Sequence, residues 1–68
     1  MTSEHSKIIV TISYEDDENG FCIDDNGPES DGAEYEERAV DAEAEAEGRA
    51  RHYRELGFQV EICKPGWM

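Results

Sequence analysis

Between Glu15 and Glu47 the chain almost lacks basic residues, with Arg38 alone against fifteen aspartates and glutamates. The full 68 residues hold only six Lys and Arg, and the formal net charge is -12. That scarcity excludes direct binding of free nucleic acid or of anionic membrane, both of which select cationic faces. Long apolar runs are missing too. The longest, Ile8 to Val10, is three residues, too short for a secretory core or a membrane span. With a polar start from Met1 to Lys7, the expected location is the cytoplasm.

Cysteine is scarce, with only Cys22 and Cys63. No CxxC spacing exists, and His5 and His52 do not complete a zinc set, so no metal site is expected. Without a secretory signal, free thiols are the expectation. Asp24-Asp25-Asn26-Gly27 with Glu29 and Asp31 has the oxygen ligands that calcium favours. Counted from Asp24, however, the sixth and twelfth places hold Glu29 and Tyr35 instead of the Gly and Glu of an EF-hand loop. No Ser-His-Asp, Cys-His or Gly-rich phosphate loop is present either. A non-enzymatic protein without cofactor is expected.

What is present suits one small acidic domain over residues 1–68. Hydrophobic residues are 37% of the chain and charged ones 35%, close to the composition of disordered chains. The apolar residues are nevertheless clustered and periodic, which predicts a thin core of about a dozen side chains. Dimerisation is one way to enlarge it.

Residues 7–14 read as a strand, with Ile8, Val10, Ile12 and Tyr14 on one face and β-branched residues dominant. Asn19-Gly20 signals a reversal, and residues 21–24 follow as a second strand with Phe21 and Ile23 inward. After an acidic loop, Ser30 or Asp31 is the expected cap of a helix over 32–56. At 100° per residue Tyr35, Ala39, Ala42, Ala46, Ala50, Tyr53 and Leu56 form its apolar stripe. Glu34–Arg38, Glu45–Arg49 and Glu47–Arg51 are i,i+4 pairs in the favoured orientation. Gly57 ends the helix, residues 58–63 alternate as a third strand, and 64–68 form a tail.

The expected fold is therefore α+β, β-β-α-β, with a three-stranded mixed sheet in order 2-1-3 and one long helix on one face. A right-handed crossover places the third strand beside the first. Cys22 and Cys63 then sit on opposite edges, about 9–10 Å apart, beyond disulfide reach. The uncovered face shows Ile9, Thr11, Ser13, Asp24, Gln59 and Glu61.

Eleven acids fall between Glu15 and Glu37 with no Lys or Arg among them. Ordinary solvated faces intersperse both signs. Carboxylates on a rigid small fold can stand in for duplex phosphates and occupy a Lys/Arg groove. The candidate contacts are Glu15, Asp16, Asp17, Glu18, Asp24, Asp25, Glu29 and Asp31, extended by Glu34, Glu36 and Glu37. The expected partner is a basic protein surface, one that normally binds nucleic acid.

In size, charge and β-β-α-β layout the chain resembles the small acidic inhibitors made by phages, including anti-CRISPR proteins and other DNA mimics. The resemblance implies an inhibitor whose acidic surface blocks the nucleic-acid channel of a CRISPR effector, a nuclease or a repressor. It would act in the cytoplasm of the host cell. Four arginines make the helix a poor phosphate mimic toward its C-terminal end, so the hairpin turn and the loop before the helix are the expected active surface. A different reading rests on Trp67, after Pro65-Gly66. As an apolar anchor, alone or with the alanine stripe, it would serve a small protein-protein interaction or assembly module, with charge giving only solubility. The other expected place for Trp67 is folded back over an open edge of the small core.

Overall fold

A computed structural model of the chain describes residues 7–30 and 32–68. His5 and Asp31 lie outside the described residues. The fold is α+β, with one helix on a four-stranded mixed sheet. The strands are β1 (Lys7–Glu15), β2 (Gly20–Asp25), β3 (Glu34–Glu36) and β4 (Gln59–Cys63), and the helix α1 is Ala39–Glu55. Their order is β3-β2-β1-β4. The expected 2-1-3 arrangement survives as β2-β1-β4, but a fourth strand extends it and the expectation of three strands is corrected.

β1 and β2 form the antiparallel hairpin, with Ile12 opposite Ile23 and Tyr14 opposite Phe21. The reversal spans Asp16 to Asn19, closed by the Asn19 N–H on the Asp16 carbonyl at 3.1 Å. Asn19 takes the left-handed conformation at φ 54°, which asparagine tolerates well. β4 runs parallel to β1, pairing Ile8 with Val60 and Val10 with Ile62.

The helix begins seven residues later than the expected Gly32 start, at Ala39, and Arg38 at its N-cap makes no side-chain capping bond. Length explains much of this. At 1.5 Å per residue the 17-residue helix spans about 26 Å, against about 30 Å for the nine residues of β1. A 25-residue helix of about 37 Å would overrun the sheet. Residues 34–36 instead pair with the outer edge of β2, satisfying backbone groups that an extra helical turn would leave unpaired. Tyr35, 52% exposed, and Ala39 thus leave the expected stripe, and Leu56 is half exposed beyond the last turn.

The rest of the stripe holds. Ala42, Ala46 and Tyr53 are buried in one cluster with Ile8, Val10, Ile12, Phe21 and Ile23, and Ala50 is buried as well. Phe58, Val60, Ile62 and Met68 close the margin of this core. Alanines let the helix approach the sheet closely but contribute little burial each, so the aromatic and branched side chains supply most of the apolar area. At the far end the Phe58 N–H bonds the Tyr53 carbonyl and the Gly57 N–H the Arg54 carbonyl, both at 3.0 Å. This is a Schellman stop. Both cysteines are free, Cys22 on β2 and Cys63 on β4 with β1 between them. No helix among the described residues is long and apolar enough to cross a membrane.

Candidate functional site

The β2–β3 ladder sorts the acidic residues into two groups. Phe21 lies opposite Glu36, so Glu36 and Glu37 come to the end of the sheet that carries the hairpin turn. Their approach is close. A Cβ on Gly20 would stand 2.9 Å from the Glu36 carbonyl oxygen and 3.7 Å from the Glu37 Cα. Only glycine admits β3 there. Glu15, Asp16, Asp17, Glu18, Glu36 and Glu37 therefore share one end, and among the described residues no ion pair engages any of them. The Tyr35 phenol, opposite Cys22 on the ladder, is raised above its ordinary value chiefly by hydrogen bonding and electrostatic interaction with the Cys22 side chain, then by burial, with the charges of Glu15 and Glu18 contributing least.

Three aromatic rings occupy the same end. Tyr14 and Phe21 meet edge to face with centroids 5.1 Å apart. The tail brings Trp67 onto both, at 6.1 Å from Tyr14 and 5.8 Å from Phe21. A turn in which the Met68 N–H bonds the Pro65 carbonyl holds the tail back, and Met68 packs on the core. Lys64 fixes its base through Glu43 at 2.9 Å. Trp67 nonetheless remains 66% exposed.

The other acids are treated differently. Asp25 turns its carboxylate inward, and its side chain is only 2% exposed. It accepts from Arg49 Nη1 at 2.7 Å, from the Tyr53 hydroxyl at 3.0 Å and from the Gly27 N–H at 2.8 Å. Arg49 also reaches Glu45 through Nε and the Gly32 carbonyl through Nη2, both at 2.9 Å. Burial works against the charge of Arg49, but its bonds to Glu45 and Asp25 outweigh this and raise its pKa. Tyr53 in turn accepts the Glu29 N–H at 3.2 Å, while Glu29 binds His52 Nε2 at 2.6 Å. Gly27 lies against the Tyr53 ring, where a Cβ would come within 2.3 Å of Cζ.

This network latches the 25–32 loop onto the helix around an open polar hollow of about 770 Å3, which Glu34 also lines. The calcium-like run is used internally as well. The Asp24 carboxylate accepts the Asp25 N–H and Asn26 Oδ1 accepts the Ile9 N–H, each at 2.8 Å. Among the described residues no group of three or more potential metal ligands converges. Asp24 itself is exposed on the uncovered sheet face, beside Thr11.

Of the sequence candidates, the structure brings Glu15–Glu18, Glu36 and Glu37 together. Asp25, Glu29 and Glu34 gather at the opposite end, and Asp24 stands apart. Sequence reasoning missed the latch; it offered Trp67 folded back over an edge of the core, as the structure has it, without naming Tyr14 and Phe21 as the rings that receive it. The spacing of Glu45, Arg49, His52 and Tyr53 along one helical face was the available signal for the latch. In comparison with known proteins, no protein family, curated protein or solved structure matches this chain.

Proposed function

We propose that this is a non-enzymatic acidic binding protein that inhibits a nucleic-acid-binding target by occupying its basic surface, as DNA mimics and anti-CRISPR proteins do. The carrying observation is that β2–β3 pairing sets Glu36 and Glu37 beside the turn acids, six carboxylates that form no ion pair among the described residues, with Arg38 the one base next to them in sequence. Six carboxylates on a hairpin end give a fixed pattern of negative charge of the kind a Lys/Arg groove accepts from phosphates. Asp25, which holds Arg49, lies about four residues along β2 from Phe21, or about 13 Å, so that Arg49 is held beyond a Debye length of about 8 Å at physiological salt. Its charge does not cancel theirs.

The apolar-module reading loses one of its two supports. Ala42, Ala46 and Ala50 are buried within the protein's own fold, which leaves Trp67 for such a contact. The test is competition. Basic proteins of a nuclease-treated bacterial lysate are loaded on DNA-cellulose and eluted with the parent or with a variant carrying Glu15→Gln, Asp16→Asn, Asp17→Asn, Glu18→Gln, Glu36→Gln and Glu37→Gln. The parent is expected to release a protein at low salt, to bind it in isolation, and to lose affinity steeply as salt rises. Equal release by the variant, or no release by either, overturns the proposal.

A further inference from the structure

We infer that the Tyr14–Phe21–Trp67 platform is a seat for an arginine side chain of the partner, so that the acidic end selects arginine over lysine. The inference rests on the basic-partner reading above and adds a specific chemistry to it. Tyr14, Phe21 and Glu36 lie in one row across β1, β2 and β3, and Trp67 packs on the first two while exposing two thirds of its surface. Alternation puts Tyr14, Phe21 and Glu36 on the same sheet face. A carboxylate therefore stands one cross-strand step from the platform, roughly 5 Å between Cβ atoms, and four more acids follow Tyr14 in the turn.

An exposed tryptophan on its own suits many apolar partners. A tryptophan beside six carboxylates that form no ion pair among the described residues disfavours an apolar or acidic partner and suits a flat cation. Guanidinium is that group. It is planar and weakly hydrated, so one face lies on an indole ring while its edge donates to carboxylates in a fork. Lysine's ammonium keeps its hydration and cannot make the fork. Self-association through this patch would juxtapose two such acidic ends and is opposed by their repulsion.

Trp67 is the only tryptophan, so its emission reports on the seat directly. The full chain is titrated at low salt with acetylated hexa-arginine and with hexa-lysine, following emission and calorimetric affinity. The expected result is a change in Trp67 emission with hexa-arginine and about two- to fivefold preference for it over hexa-lysine, the scale of an exposed cation–π contact. Trp67→Leu, which keeps apolar bulk without a ring face, and Trp67→Ala should each reduce that preference while helical circular dichroism is unchanged. Three results overturn the inference. Equal binding of both peptides by the parent leaves the basic-partner reading standing and removes only the arginine seat. Binding of neither removes both. Emission that shifts with protein concentration alone assigns the platform to a second copy.

Discussion

At the loop end of the sheet, Asp25, Glu29 and Glu45 each have a partner on the helix, in Arg49, Tyr53 or His52. At the turn end, Asp16, Asp17, Glu18 and Glu37 are exposed and Glu15 and Glu36 half-buried, with no ion pair to any of them among the described residues. Both ends are built from the same acidic residue types in one continuous stretch of sequence. The contrast shows that acid density alone does not mark a contact surface. What separates the two is whether the fold turns a carboxylate toward a cation or away from one.

Breaking the loop end should have the largest effect. Asp25→Ala would leave Arg49, whose side chain is 11% exposed, with Glu45 as its remaining carboxylate partner and would leave the Tyr53 hydroxyl hydrogen without its acceptor. Removing one partner from a mostly buried pair costs about 3 kcal/mol, a large fraction of the stability of so small a domain. Thermal melts should show a drop of about 12 °C or more, at 4–8 °C per kcal/mol. A loss under about 1 kcal/mol would mean that the latch is ornamental. Adding Arg49→Met to Asp25→Ala should recover part of the loss, because the uncompensated charge is then gone.

A smaller effect comes from the phenol in the same network. Burial first, and then the hydrogen bond and charge of Asp25, hold Tyr53 above its ordinary value. The unfolded chain loses this proton first, near pH 10. The stability contributed by the protonated hydroxyl is therefore complete below that pH and is lost as pH rises through the folded value. Tyr53→Phe should cost about 1–2 kcal/mol at neutral pH and flatten the decline in stability above pH 10, measured by denaturant melts at pH 7, 10 and 11. If the parent and Tyr53→Phe decline in parallel, the alkaline loss comes from another group.

The two ends also differ in how much of them the sequence disclosed. β1, β2, β4 and the buried part of α1 were legible because each has one apolar face at its own period: Ile8, Val10 and Ile12 at two, Ala42, Ala46 and Ala50 at about four. β3 was not. Glu34-Tyr35-Glu36 suits both a strand and a helical first turn, and only the unpaired outer edge of β2 decides between them. That long-range choice moved the helix start and carried Glu36 and Glu37 to the turn. The Asp25–Arg49 latch spans 24 positions, and the seating of Trp67 on Tyr14 depends on where the tail returns. Local periodicity encodes neither contact.

The smallest effect belongs to the turn end, and its sign is opposite. Replacing Asp16, Asp17 and Glu18 by their amides removes repulsion between neighbours roughly 7 Å apart, worth about 0.6 kcal/mol per pair in water before screening. The folded state holds these charges in a tight reversal while the unfolded chain lets them separate, so the variant should be slightly more stable, by about 0.5–1 kcal/mol at low salt. At several hundred millimolar salt the advantage should vanish, because screening has already removed the repulsion in the parent. The Asp25→Ala loss should persist there, since its charges are buried. Chemical denaturation with urea, which leaves ionic strength unchanged, measures both at low and high salt. A turn variant that loses stability at low salt would show that these carboxylates hold the hairpin together. Their exposure would then be structural, and the contrast between the two ends would no longer argue for a partner.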